Sequence, residues 1–120
     1  MKALIVDDNE CIRHLYKLYL HDMNFDTDEA QNGNEAFGLL SNCDYDLIIS
    51  DVEMPDLNGI ELYKLVNIHK PYLLAKFIFA TGDCLGGSYR NFFSTITCPV
   101  LTKPFSFNEL QHTITEIIKW

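Results

Sequence analysis

The sequence predicts an α/β fold, a parallel sheet with helices on both of its faces. Three observations predict it. Short apolar runs recur along the chain at residues 3–6, 47–50, 77–80 and 99–102. Runs of that length, bounded by turn residues, read as strands buried on both sides. Segments with apolar residues at helical spacing separate them, and strand–helix alternation implies parallel strands joined by right-handed crossovers.

Each element has its own justification. Residues 3–6 form the first strand and run into Asp7 and Asp8. Asn9 then suits a helix cap. From residue 10 to about 21, Ile12, Leu15, Tyr16 and Tyr19 recur at helical spacing. Residues 25–30 alternate loosely and read as an edge strand. Asn32-Gly33 is a turn signal. Residues 34–40 then read as a short helix with Ala36, Phe37 and Leu40 inward, followed by a loop over 42–45.

The run 47–50 ends on Asp51, and Met54-Pro55 forces the chain out of regular structure. After Asn58-Gly59, the residues Ile60, Leu62, Tyr63, Leu65, Val66 and Ile68 suit a helix that stops before Pro71. Residues 76–80 are a buried strand leading to Thr81-Gly82-Asp83. Gly86-Gly87 opens a weakly patterned helix that reaches about Thr95. The last strand, 99–102, ends at Lys103-Pro104. Ser106 and Glu109 form a capping-box pattern, starting a helix with Phe107, Leu110, Ile114 and Ile117 inside.

The 120 residues fit one domain, 1–120, with one real core and no linker or repeat. Met1 directly precedes the first strand, which fits a natural start. A net charge of −8 argues against nucleic acid and against an anionic membrane surface as partners. No apolar run is long enough to span a membrane, and the first residues carry no signal-peptide pattern. Cys11, Cys43, Cys84 and Cys98 are widely spaced, without a CxxC pair. They read as reduced thiols, two of them core-facing or helix-borne, in a cytoplasmic protein. His14, His21, His69 and His112 lack an acidic or cysteine neighbour at metal-ligand spacing and read as solvated or packing residues. Phe92 and Phe93 read as core or partner surface.

The chemistry lies where apolar strands end on polar residues: Asp7-Asp8, Asp51, Thr81 and Lys103. In an open parallel sheet these carboxyl ends share one rim, and ligands bind there, where strand order reverses. Clustered carboxylates repel one another unless a cation sits among them. An all-oxygen set of a few acids suits Mg²⁺ that also receives phosphate. A carboxylate beside such a cation can attack a phosphoryl group and form an acyl phosphate, with Lys103 and the Thr81 hydroxyl stabilising the phosphoryl oxygens. Taken singly, each residue has a plainer reading: Asp7-Asp8 a turn and cap, Asp51 a strand-end cap, Thr81-Gly82 a turn, Lys103 a surface lysine. Their shared placement at strand ends favours a site.

Val6-Asp7-Asp8, Asp51-Val52-Glu53-Met54-Pro55 with Gly59, Ala80-Thr81-Gly82 and Lys103-Pro104-Phe105 resemble the receiver domain of two-component response regulators, over essentially the whole chain. The resemblance implies a flavodoxin-like (βα)5 fold with strand order 2-1-3-4-5. It implies Asp51 as phosphoacceptor and Asp8 as a direct Mg²⁺ ligand, with Asp7 assisting partly through water. It further implies the Glu53 backbone carbonyl as the third protein ligand. Thr81 and Lys103 match the phosphoryl-sensing hydroxyl and lysine, and the Lys103-Pro104 bond matches one that is usually cis. Glu53 and Asp83 fall where receivers tune dephosphorylation. One departure is clear: Val100 stands where receivers commonly carry Tyr or Phe, so the aromatic relay of the family does not carry over.

The resemblance implies a phosphorelay switch that is not an enzyme. Its donor is a histidine kinase or histidine phosphotransfer protein. Its readout is through the helix from about Gly87, the last strand and the last helix. No output segment follows Trp120, so the expectation is a stand-alone receiver or one cut from a hybrid kinase or longer regulator. The alternatives are a haloacid-dehalogenase-like phosphatase, whose second aspartate is here Glu53, and a receiver-like module that binds partners without phosphorylation.

Overall fold

The computed structural model describes residues 1–82 and 90–118. Asp83, Cys84, Gly86, Gly87 and Trp120 lie outside the described residues. Five strands alternate with helices: β1 (Lys2–Val6), α1 (Glu10–Asp22), β2 (Asp26–Ala30), α2 (Gly33–Asn42), β3 (Leu47–Asp51), α3 (Gly59–His69), β4 (Phe77–Thr81), α4 (Arg90–Thr95), β5 (Val100–Thr102) and α5 (Phe107–Ile117). The strands form one parallel sheet in the order β2-β1-β3-β4-β5. Both the fold class and the implied strand order are thereby found.

Alternation along a strand sorts its side chains onto two faces. Ala3, Ile5, Leu47, Ile49, Ile78 and Ala80 pack with Tyr16 and Leu20 of α1 and Leu110 and Ile114 of α5. Leu4, Val6, Ile48, Phe77 and Phe79 pack with Ala36 and Leu40 of α2 and Leu62 and Val66 of α3. The central strands carry apolar residues on both rows because helices cover both. Leu4, Ile5, Ile48, Ile49 and Ile78 are wholly buried. Each such side chain contributes about 1.5–3 kcal/mol of transfer free energy.

The caps work locally as expected. The Asn9 side chain accepts from the amides of Cys11 and Ile12, and Asn32 accepts from Glu35. Ser106 and Glu109 close a reciprocal capping box, as do Asn58 and Glu61.

Several expectations are corrected. Leu15 shares the apolar helical spacing but is 39 % exposed, because the buried stripe runs through Tyr16 and Leu20. Ile68 is 72 % exposed, one position off the Leu62–Val66 stripe. The second helix is longer at both ends, Gly33–Asn42, since Asn32 is its cap rather than a free turn. Phe25 precedes β2 and packs into the core. A short 3₁₀ turn, Pro71–Lys76, fills the stretch before β4. In the last helix Thr113 is buried, while Phe107 and Ile117 are only partly covered. Cys11 is exposed, and Cys43 and Cys98 are half-buried against the α2/α3 side of the sheet. His112 does have an acidic neighbour, Glu116 at 3.1 Å one turn on. The reading of Phe92 and Phe93 as core or partner surface needs no correction: both are partly buried against the core, edge-on to Phe79.

Polar ties fix the sheet edge. The Tyr45 hydroxyl donates to Asp28 on β2 at 2.6 Å, and Lys2 on β1 lies 3.2 Å from the same carboxylate. The hydrogen bond from Tyr45, with Lys2 in support, holds Asp28 below its ordinary pKa. A depressed carboxyl adds stability above its unfolded pKa, near 4, and that stability is lost as pH falls through the lower folded value. Tyr45→Phe should therefore cost about 1 kcal/mol at neutral pH. The deficit should shrink as Asp28 protonates below about pH 4. Urea denaturation of both proteins across this range checks it.

Candidate functional site

The sheet's alternation also builds the site. Asp7 continues the row of Ala3 and Ile5, Asp51 that of Leu47 and Ile49, and Lys103 that of Leu101. All three rows face the α1/α5 side, so two acids and an ammonium converge at the carboxyl rim. Thr81 continues the other row, with Phe77 and Phe79, and is 4 % exposed.

Lys103 bridges the acids: its Nζ lies 2.8 Å from Asp7 Oδ2 and 3.5 Å from Asp51 Oδ2. The lysine is anchored from behind, since its amide donates to the Thr81 carbonyl at 2.9 Å. The peptide bond between Lys103 and Pro104 is cis, as the resemblance implies. Asp7 is buried and satisfied on every polar atom. Its amide donates to Ala30, its Oδ1 accepts from the Asn9 amide at 2.9 Å, and its carbonyl accepts from Arg13 at 2.7 Å. Asp51 Oδ1 accepts from the Val52 amide at 2.8 Å. Burial lifts the Asp51 carboxyl to about 6 against the pull of the Lys103 ammonium, and Asp7 adds to the lift.

Asp8 is exposed, yet its carboxylate comes together with those of Asp7 and Asp51, one oxygen from each within 4.8 Å of the others. Among the described residues this is the one group of acids, histidines or cysteines close enough to share a cation. Three hard oxygen donors, one set in the protein and one open to water, suit a small divalent cation that keeps part of its hydration shell. One ammonium between Asp7 and Asp51 leaves the trio short of neutral. The donor set therefore fits Mg²⁺.

Glu53 is exposed and its carboxylate stands apart from the trio. It lines an open cleft of about 300 Å³ with Asp51, Thr81, Gly82 and Lys103. Asp83 lies outside the described residues. Three contributors escape a reading by residue type. Ser50 Oγ donates to the Asp51 carbonyl at 2.8 Å and is wholly buried. Gly59 packs its backbone on that same carbonyl, so that a Cβ there would come within 2.1 Å of the oxygen. Arg13 reaches from α1 to the Asp7 carbonyl. Of the three only Gly59 enters the sequence reading, as part of the receiver-like motif, and its contact with the Asp51 carbonyl is not read there; it also opens α3 after an Asn cap.

Comparison with known proteins gives a consistent result. The response regulator receiver domain family matches residues 3–115. The transcriptional regulatory protein ResD of Bacillus subtilis is 35 % identical over 109 residues, covering 91 % of this chain and 44 % of ResD. The chain thus spans less than half the length of that relative. Among solved structures, response regulator TrrA of Thermotoga maritima, in complex with Mg²⁺-BeF, superposes with a TM-score of 0.82 at 32 % identity, covering 98 % of each chain. Chemotaxis response regulator CheY4 of Vibrio cholerae superposes with a TM-score of 0.86 at 28 % identity, also covering 98 % of each.

A carboxyl whose folded pKa is raised destabilises the native state once ionised. The cost begins above the unfolded value, near 4, and is complete above about 6. With chelator present, Asp51→Asn removes it. The variant should be more stable than wild type at neutral pH, by about 1–3 kcal/mol, and the two should converge near pH 4. Chemical denaturation at the two pH values checks this.

Proposed function

The chain belongs to the response regulator receiver domains of two-component signalling, and on that premise we propose that Asp51 accepts a phosphoryl group from a protein phosphohistidine. The observation that carries this reading is the position of one ammonium, 2.8 Å from Asp7 and 3.5 Å from Asp51, at the edge of a cleft open to a partner. A carboxylate oxygen of Asp51 forms the new O–P bond as the P–N bond to the donor imidazole breaks. The electron pair leaves with the imidazole, and the product is an acyl phosphate.

The protein's own residues divide the work. The Val52 amide holds one Asp51 oxygen at 2.8 Å and thereby fixes the carboxylate plane. Lys103 sits where charge builds on the transferring phosphoryl oxygens. The Thr81 hydroxyl, two residues past the core ring of Phe79, supplies a hydrogen bond to the attached phosphoryl group. Asp7, Asp8 and Asp51 would hold Mg²⁺, with the Glu53 carbonyl as a further ligand. Bound there, the cation offsets charge on the carboxylates and on the phosphoryl oxygens.

The readout follows from what borders Thr81 and Lys103. A phosphoryl group gives both residues a new partner, and the carboxyl ends of β4 and β5 shift their equilibrium in response. α4, β5 and α5 form the surface that a downstream protein reads. α4 has no fully buried residue and is held through Phe92 and Phe93, which stand edge-on to Phe79. Val100 leaves no ring on β5 for an aromatic relay, so this cluster between β4 and α4 is the packed link available. A receiver acting in the cytoplasm through protein contacts is in keeping with this reading. Separately, no helix among the described residues is long and apolar enough to cross a membrane.

A phosphatase reading is less well supported, since the residue two after Asp51 is Glu53, outside the acid trio. Incubation with acetyl phosphate and Mg²⁺, followed by intact-mass analysis, tests the proposal. One phosphoryl adduct should form, require Mg²⁺ and disappear in Asp51→Asn. Steady turnover of the donor without a captured adduct would favour the phosphatase, and no adduct with any donor would leave a binding module.

A further inference from the structure

Arg13 is an unexpected residue where it stands. A cation near the start of a helix opposes the helix dipole, and this one also adds positive charge beside a cluster proposed to take a divalent cation. Its side chain is nonetheless only 11 % exposed. The guanidinium is turned back over the β1–α1 loop, where one nitrogen donates to the Asp7 carbonyl at 2.7 Å. Another meets Glu29 on β2 at 3.2 Å. The planar fork thus ties the loop to the neighbouring strand at two fixed points, which a single ammonium does less well.

The Asp7 carbonyl belongs to the peptide plane that joins Asp7 to Asp8. Asp7 is already held through its amide by Ala30, and through its carboxylate by Asn9 and Lys103. The remaining freedom is rotation of that peptide plane, which swings the Asp8 Cα–Cβ bond toward or away from Asp51. Asp8 itself is exposed. The hydrogen bond from Arg13 removes that rotation.

We propose that Arg13 is a positioning residue for the cation site: by clamping the Asp7–Asp8 peptide it holds the exposed Asp8 carboxylate ready for Mg²⁺. This inference rests on the cation site proposed above. It separates cleanly from simple electrostatics because the two predict opposite signs. Removing a nearby positive charge should tighten binding of a divalent cation, whereas removing a positioning clamp should weaken it.

Titration calorimetry with Mg²⁺ on the full chain decides between them. Arg13→Met should weaken Mg²⁺ binding about tenfold, the scale of losses when a supporting partner of a metal ligand is removed. Arg13→Lys keeps the charge and loses the fork, so it should bind a few-fold more weakly than wild type, recovering part of the loss. Thermal unfolding of the metal-free proteins is measured alongside, because a merely structural role would lower stability and leave the affinity of the folded protein unchanged. If Arg13→Met fails to fold, Arg13→Lys carries the same expectation alone. Unchanged or tighter binding in the folded variant overturns the proposal. Wild-type protein that binds no Mg²⁺ overturns the cation site itself, a result distinct from the first.

Discussion

The contact on which this molecule turns is that of Lys103 with two carboxylates from two other strands. The ammonium lies 2.8 Å from buried Asp7 and 3.5 Å from Asp51. Burying acids side by side is expensive unless a counter-charge is built in. The lysine supplies it from the far side of β4, and its amide is pinned to the Thr81 carbonyl. Strand order matters for this reason. With β3 between β1 and β4, and β5 beyond β4, residues far apart in sequence reach one small volume.

The site inherits its geometry from the core. Pleating puts Asp7, Asp51 and Lys103 on one row and Thr81 on the other. The rows that carry buried Ile5 and Ile49 and partly buried Leu101 thus aim the polar residues that follow them. Ser50 and Gly59 both converge on the Asp51 carbonyl, one by a hydrogen bond and one by bare backbone approach. Stability and chemistry share these strands, and the pH dependence of Asp51 reflects the cost of keeping an acid there.

Much of this was legible in the sequence because strand ends can be read from composition. The runs ending at Asp7, Asp51, Thr81 and Lys103 are strongly apolar, and five strands were expected where five are found. Helix faces were read less well. Leu15 and Ile68 are apolar and close to the correct spacing, but spacing tolerates an error of one position and burial does not. Arg13 could not be read at all. Its partners are a backbone carbonyl, which every residue has, and an acid on a strand recognised only loosely. The edge strand was hard to place for a related reason: its segment, Asp26–Ala30, has one buried residue and three acids.

Those three acids have a role in solution. β2 has a neighbour, β1, on one side only, and its outer backbone offers hydrogen-bonding groups to any extended segment that drifts alongside. Asp26, Asp28 and Glu29 make that flank a poor template, because a second molecule aligning the same strand would set like charges against each other without a core to offset them. The opposite flank, β5, is only three residues long. The sheet is therefore closed to end-to-end growth by repulsion on one margin and brevity on the other.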